Sequence, residues 1–283
     1  MSARNLAWLL APFAASLALS RATMAQDEAP RNETQVDRLR KKLEESVGWH
    51  QFQRPKDKKP LKPHIVLRWD NNVSGRNSAV GLTVVWADDI RPQVIASIYP
   101  LRGILEHEID LLSREPNLIG KREGRLLWQP KETGIEFHAV PEAPPPAQTI
   151  ARRRLQLKQL ALQFEATMLG FNPDNSDRQE LRMMPQWLYR YGREGTECLD
   201  GAIFSFAMGT DPEAVLLLEA FKTNDDAYQW QFAFVRQTSA ALEGRWKKDV
   251  VWSAERTPID VNPALPHRTL RESLPPKLLE SER

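Results

Sequence analysis

A glycine stands eleven residues ahead of a proline at Gly81 and Pro92, and the same arrangement returns at Gly201 and Pro212. The recurrence belongs to an ordered series. Leu67 of Leu67-Arg68-Trp69 lies 121 residues before Leu188 of Leu188-Tyr189-Arg190-Tyr191, and Gly120 and Gly244 each precede a tryptophan by eight, at Trp128 and Trp252. Gly48 and Gly170, read as helix stops, are 122 apart. Repeats show as a near-constant period, and the four extra residues of the second copy fit near Lys222 to Ala227. The chain is therefore expected to be built from two like units.

Within each unit short apolar runs alternate with turn residues. In the first they are Ile65 to Trp69, Val80 to Trp86, Val94 to Tyr99, Ile104 to Leu112, Leu126 to Trp128 and Ile135 to Val140. In the second they are Trp187 to Tyr191, Ala202 to Met208, Ala214 to Phe221, Tyr228 to Arg236 and Val250 to Trp252. Short connections favour an antiparallel meander. A helix heads each series. Val36, Leu39, Leu43 and Val47 share one face of Glu33 to Val47. Ile150, Leu157, Leu160, Ala161, Phe164 and Met168 do the same along Thr149 to Leu169. The fold class that follows is α+β: a tandem duplication of a helix packed on a curved antiparallel β-meander sheet, the two units related by pseudo-symmetry. The units span 26–140 and 149–257, joined by the Pro-rich linker 141–148. Prolines at 258, 263, 266, 275 and 276 mark residues 258–283 as a mostly disordered tail.

The ends bear on location. Arg4 precedes an apolar run from Leu6 to Leu19, followed by Ser20, Ala22 and Ala25, the layout of a secretory signal peptide over 1–25. The run is too short for a comfortable membrane span, so no stable span is expected after cleavage. Cleavage removes Arg4 and Arg21 and no acid, which balances the 39 basic and 37 acidic residues of the chain. A neutral surface argues against nucleic acid. Cys198 is the only cysteine, which excludes an intramolecular disulfide and a Cys-based zinc site.

The signal, Arg91-Pro92 before a β run, Gly124-Arg125 leading to Trp128, the Pro141 to Ala147 linker, and Asp200-Gly201 with Gly209-Thr210-Asp211-Pro212 together resemble a group of uncharacterised exported proteins of planctomycete bacteria. The resemblance covers most of the mature chain. It implies a periplasmic or extracellular location and no activity, cofactor or functional residue.

Candidates for chemistry are few. Glu106-His107-Glu108 is the most suggestive cluster, but strand alternation puts His107 with Leu105, Ile109 and Leu111 and turns Glu106, Glu108 and Asp110 to the other face, so the donors diverge. Glu136 and His138 share a polar strand face, too few ligands for a metal site by themselves. Trp69, Tyr189 and Tyr191 are candidates for binding an apolar or sugar ligand on a sheet. Arg152-Arg153-Arg154 opens the central helix. Serine-nucleophile, zinc-protease and phosphate-loop signatures are absent. The expectation is an exported, non-catalytic binding or interaction module of the cell envelope, with an unknown envelope or extracellular ligand and no metal or cofactor. The alternatives are a hydrolase using His107 with Glu106 or Glu108 between the units, and a purely structural scaffold.

Overall fold

A computed structural model describes residues 34–70, 80–170, 177–257 and 262–274. The expected signal segment lies outside them, as do parts of the expected tail. The described residues form one compact unit from Thr34 onward, mostly antiparallel strands with two helices, an α+β architecture. None of the described helices is long and apolar enough to cross a membrane.

The chain runs α1 (Gln35–Val47), β1 (His50–Gln53), β2 (Lys62–Trp69), β3 (Gly81–Ala87), β4 (Pro92–Leu101), β5 (Ile104–Leu111), β6 (Ile119–Arg122), β7 (Arg125–Trp128) and β8 (His138–Ala139). It continues with α2 (Ile150–Ala161), β9 (Phe164–Leu169), β10 (Gln179–Met183), β11 (Tyr189–Tyr191), β12 (Cys198–Met208), β13 (Asp211–Lys222) and β14 (Tyr228–Arg236). The last strands are β15 (Ala241–Trp246), β16 (Asp249–Ala254) and β17 (His267–Ser273). A small sheet has the order β1-β6-β7, a second has β17-β5-β4-β3-β2, and the largest, which curls toward a half-barrel, follows β16-β15-β9-β10-β12-β13-β14-β8 with β11 beside β12.

Period-2 burial explains the layering. In the smaller meander Leu82, Val84 and Trp86 of β3 and Val94, Ala96 and Ile98 of β4 point to the side covered by α1, through Leu43 and Val47. In the larger one Phe204, Phe206, Leu216, Leu218, Phe232 and Phe234 meet Leu157, Leu160 and Ala161 of α2. The intervening residues, Val85, Ile95, Ile203, Val215, Leu217 and Ala233, form a third core where the meanders face each other. Both faces of each central strand are therefore buried, and these strands read as continuous apolar runs rather than clean alternations.

Matching details recur in the pairing registers. Gly81 lies opposite Trp69 and Gly201 opposite Tyr191. Those rings occupy the space of the missing side chains: a Cβ on Gly81 would lie 2.1 Å from the Trp69 ring, and one on Gly201 would lie 2.6 Å from that of Tyr191. Irregularities fall at Trp86/Ala87 opposite Pro92 and at Phe206/Ala207 opposite Pro212. They fall again just after Gly120, paired with Trp128, and Gly244, paired with Trp252.

Three expectations need correction. The central helix stops at Ala161, and Phe164 to Leu169 is strand β9. Phe164, Leu160 and Leu157 fit the helical spacing, but Phe164 and Ala166 also alternate with exposed Glu165, and pairing of β9 with both β10 and β15 decides for the strand. Gly170 therefore ends a strand, not a helix. Part of the expected disordered tail is β17, which pairs with β5 over seven residues, from His267 opposite Asp110 to Ser273 opposite Ile104. An unpaired β5 edge would expose its backbone donors and acceptors, and β17 satisfies them. Strands also cross between the expected segments: β8, in the first unit, pairs with β14 of the second, and β17, in the expected tail, pairs with β5 of the first. Neither 26–140 nor 149–257 closes its own sheet.

Candidate functional site

A cleft opens where the β1–β2 connection, the β3–β4 turn, the segment after β5, the start of β12 and the end of β13 come together. It encloses about 590 Å³. Asp88 shapes the turn: its Oδ1 accepts the N–H groups of Ile90 and Arg91, each at 2.8 Å, an Asx-type arrangement that a short acidic side chain supplies. Arg54 Nη1 and Gln93 Nε2 donate to its Oδ2. The turn sends Arg91 inward between the sheets.

There Arg91 meets Glu219 of β13, whose side chain no solvent reaches. Arg91 Nε donates to Glu219 Oε1 at 2.9 Å, Arg91 Nη2 donates to the same oxygen, and Tyr191 Oη donates to it at 2.8 Å. Arg114 Nη2 donates to Glu219 Oε2 at 2.8 Å and to Gln231 Oε1 at 3.0 Å. The Arg114 guanidinium lies between two rings, 3.7 Å from the Phe137 centroid and 3.9 Å from that of Phe221. Among the described residues no protein atom accepts from Nη1 of either arginine, and both arginines line the cleft.

Burial alone would push the Glu219 carboxyl up, but Arg91 and Arg114 outweigh it and hold it below the usual carboxylate range. Burial would likewise lower Arg91, and Glu219 reverses the sign. Burial first, and then Glu219, push the Tyr191 hydroxyl and the Cys198 thiol up, so both are neutral near pH 7. One carboxylate thus faces two guanidiniums, which leaves one positive charge uncompensated inside the network. The rim is balanced by pairs such as Lys56 with Glu115 at 2.6 Å. Apolar contacts come from Ile90, Leu118, Phe221 and Pro55. Such a wall can hold a small organic anion by charge-assisted hydrogen bonds and cover its apolar body.

Neither a family model, nor a curated protein, nor a solved structure matches this chain.

The residues singled out from sequence are scattered. His107 is fully buried on the α1 side of its sheet, where its Nδ1 is 3.0 Å from Nε2 of His50. Trp86, Phe52 and Trp49 surround the pair. Burial and then the Arg122 charge push His50 down to about 4, and burial, then His50, keep His107 well below its ordinary value. Glu106 and Glu108 point to the other face of the strand. Glu106 Oε1 accepts from Arg271 Nη2 at 2.9 Å. Glu108 is pushed well above the usual carboxylate range by burial and then by Glu213, Asp211, Glu106 and Asp110. A β-sheet therefore separates His107 from both glutamates.

Glu136 and His138 are exposed and lie 3.7 Å apart at an open groove beside Trp252. Trp69 is buried against Tyr99 and Gly81. Tyr189 is half-buried, tilted against His64 and stacked on Tyr191. Of the candidates, only Tyr191 belongs to the Glu219 network, and through its hydroxyl rather than its ring. No group of three or more His, Cys, Asp or Glu among the described residues is placed to hold a metal ion.

Arg91, Arg114 and Glu219 were not reached by sequence reasoning. Glu219 carried a usable signal, a lone acid inside the apolar run Ala214 to Phe221. A charge in such a run is retained only if it is paired. The identity of its partners, 128 and 105 residues away, carried no local mark.

Proposed function

We propose that this chain is an exported, non-catalytic binding module of the cell envelope, and that the cleft at Arg91 and Arg114 takes a small organic anion. The observation that carries the reading is the Glu219 carboxylate holding two guanidiniums in the cleft wall while each keeps an Nη1 free of protein acceptors. Pre-placed cationic donors on rigid strand ends reduce the ordering cost of binding an anion. Export rests on the basic, apolar and small-residue layout of 1–25 and on the resemblance to exported planctomycete proteins.

The same reading includes a tandem duplication with pseudo-symmetry. It is supported by helix, short strand and meander recurring in one order, by paired irregularities at equivalent glycines and prolines, and by β8 and β17 each pairing across the expected segments. In this scheme Trp69 and Tyr99 stand where Tyr191 and Glu219 stand. The two ends of the sandwich thus differ in charge, and only one carries the arginine pair.

The test is titration of the purified chain with a panel of small aliphatic and aromatic monocarboxylates, followed by calorimetry. The reading predicts saturable one-to-one binding that Arg114→Gln weakens by about tenfold or more, the worth of a charge-assisted hydrogen bond. Binding that Arg114→Gln leaves unchanged would place the ligand elsewhere.

A further inference from the structure

The helix α2 presents an unusual outward face. Its inward side is Arg153, Leu157, Leu160 and Ala161, all buried. The opposite pole is not polar: it carries Leu155 and Leu162, 57% and 72% exposed, seven residues apart and therefore in line along the axis. Exposed Arg152, Arg154 and Lys158 flank them, and the helix contains no acid. Arg153, the one member of the arginine run that turns inward, is used by the fold, donating to Asp200 Oδ2 at 3.0 Å and to the carbonyls of Ala147 and Gln148. Arg152 and Arg154 have no carboxylate partner among the described residues. Beyond the helix the β15–β16 turn is tied to the chain just after it by Lys247 N donating to Gln163 O at 2.8 Å, and it adds exposed Lys248.

The helix on the other side of the sandwich shows that this is not a requirement of the architecture. On α1 two partly exposed cations are paired, Arg40 with Asp70 at 2.8 Å and Lys42 with Glu45, and Glu44 receives Arg68 at 2.8 Å, while Lys41 stands exposed. No large apolar side chain of α1 is exposed.

We propose that the outward face of α2 is an interfacial docking surface for an anionic lipid bilayer, with Leu155 and Leu162 entering the headgroup boundary and Arg152, Arg154, Lys158 and Lys248 against the lipid phosphates. Leucines at the pole of a helix, flanked by Arg152 and Arg154 without a carboxylate partner among the described residues and by Lys158, whose ammonium lies 5.3 Å from the Trp187 ring centroid, match the chemistry of that interface, apolar at depth and negative at the surface. A second copy of the chain is opposed by charge, because apposed α2 faces would set these cations against themselves.

The experiment is flotation of the full chain with phosphatidylcholine vesicles, with and without phosphatidylglycerol. The chain is expected to float with the phosphatidylglycerol vesicles, to be released as salt rises, and to stay behind with phosphatidylcholine alone. Two variants, Leu155→Ser with Leu162→Ser, and Arg152→Gln with Arg154→Gln and Lys158→Gln, are each expected to weaken retention about tenfold while keeping the parent's thermal melting curve. The proposal is overturned if phosphatidylglycerol vesicles retain nothing. It is equally overturned if both variants float like the parent, which would assign retention to the apolar run Leu6 to Leu19.

Discussion

Arg114 donates to Glu219 at 2.8 Å from the far side of the gap between the two meanders, from a position 105 residues earlier in the chain. With Arg91 it makes the acid in the C-terminal half of β13 compatible with complete burial. Removing one member of such a set leaves the others buried and unpaired. Glu219→Ala is expected to cost about 3–5 kcal/mol by chemical denaturation, and Glu219→Gln less, because the amide still accepts from one guanidinium. A loss below about 1 kcal/mol for Glu219→Ala would mean that water already reaches the network.

The same network sets an acid limb of stability. Glu219 has a folded-state value below its unfolded one, so its contribution is complete above the unfolded carboxylate range, near pH 4.5, and is lost as pH falls through the folded value. Glu219→Gln should therefore lose less stability than the parent between about pH 4.5 and pH 3. Parallel melting temperatures of the two proteins across that window would contradict the assignment.

The His50–His107 pair acts at higher pH. His50 is neutral in the folded chain down to about 4, whereas the unfolded chain takes up its proton from about 6.5. Between those values the unfolded state binds more protons, so stability falls as pH falls, by about 2 kcal/mol from pH 6.5 to 5 for His50 alone. His50→Gln should flatten that part of the curve of melting temperature against pH. A parent curve that is already flat from 6.5 to 5 would show that the pair is hydrated.

Strand β17 gives a sharper structural test. Ending the chain at Thr257 strips the pairing partner from β5 and removes Leu270 and Leu274, 8% and 5% exposed. Burial of two leucines is worth about 3–6 kcal/mol before any backbone bond is counted. The truncated chain is expected to aggregate through the bared β5 edge. A soluble truncation with the parent's melting temperature would show that the fold does not need β17.

The recurrent Gly81 and Gly201 offer a matched pair. Ala at either position places a methyl inside the ring of Trp69 or Tyr191, and each substitution is expected to cost about 1–3 kcal/mol in denaturant titration through overpacking. A neutral effect at both would mean that the rings move freely and that the recurrence has no packing basis.

These residues also mark what a reader of the sequence can reach. The meander strands were legible because Leu82-Thr83-Val84-Val85-Trp86 and Phe204 to Met208 are dense in β-formers between turn residues. The burial of His107 away from Glu106 and Glu108 followed from alternation alone. Short strands such as β1 and β6 were not legible. His50-Gln51-Phe52-Gln53 has no pattern long enough to register, and its pairing with β6 lies about 70 residues away. The end of α2 was misplaced because Phe164 satisfies both the helical and the strand period. The cleft was missed for a different reason: Arg91, Arg114 and Glu219 converge only after two sheets stack, and no spacing encodes a contact made by stacking.

The central claim is that Arg91 and Arg114 are pre-placed for an anion. It is tested most directly by observing the arginine side-chain N–H resonances in a heteronuclear NMR spectrum while a small monocarboxylate is titrated into the full chain. The account predicts saturable shifts of Arg114 and Arg91 N–H signals at the same carboxylate concentration, both lost in Glu219→Gln if the carboxylate is what holds the pair in place. Unmoved arginine signals throughout the panel, with the protein folded, would contradict it.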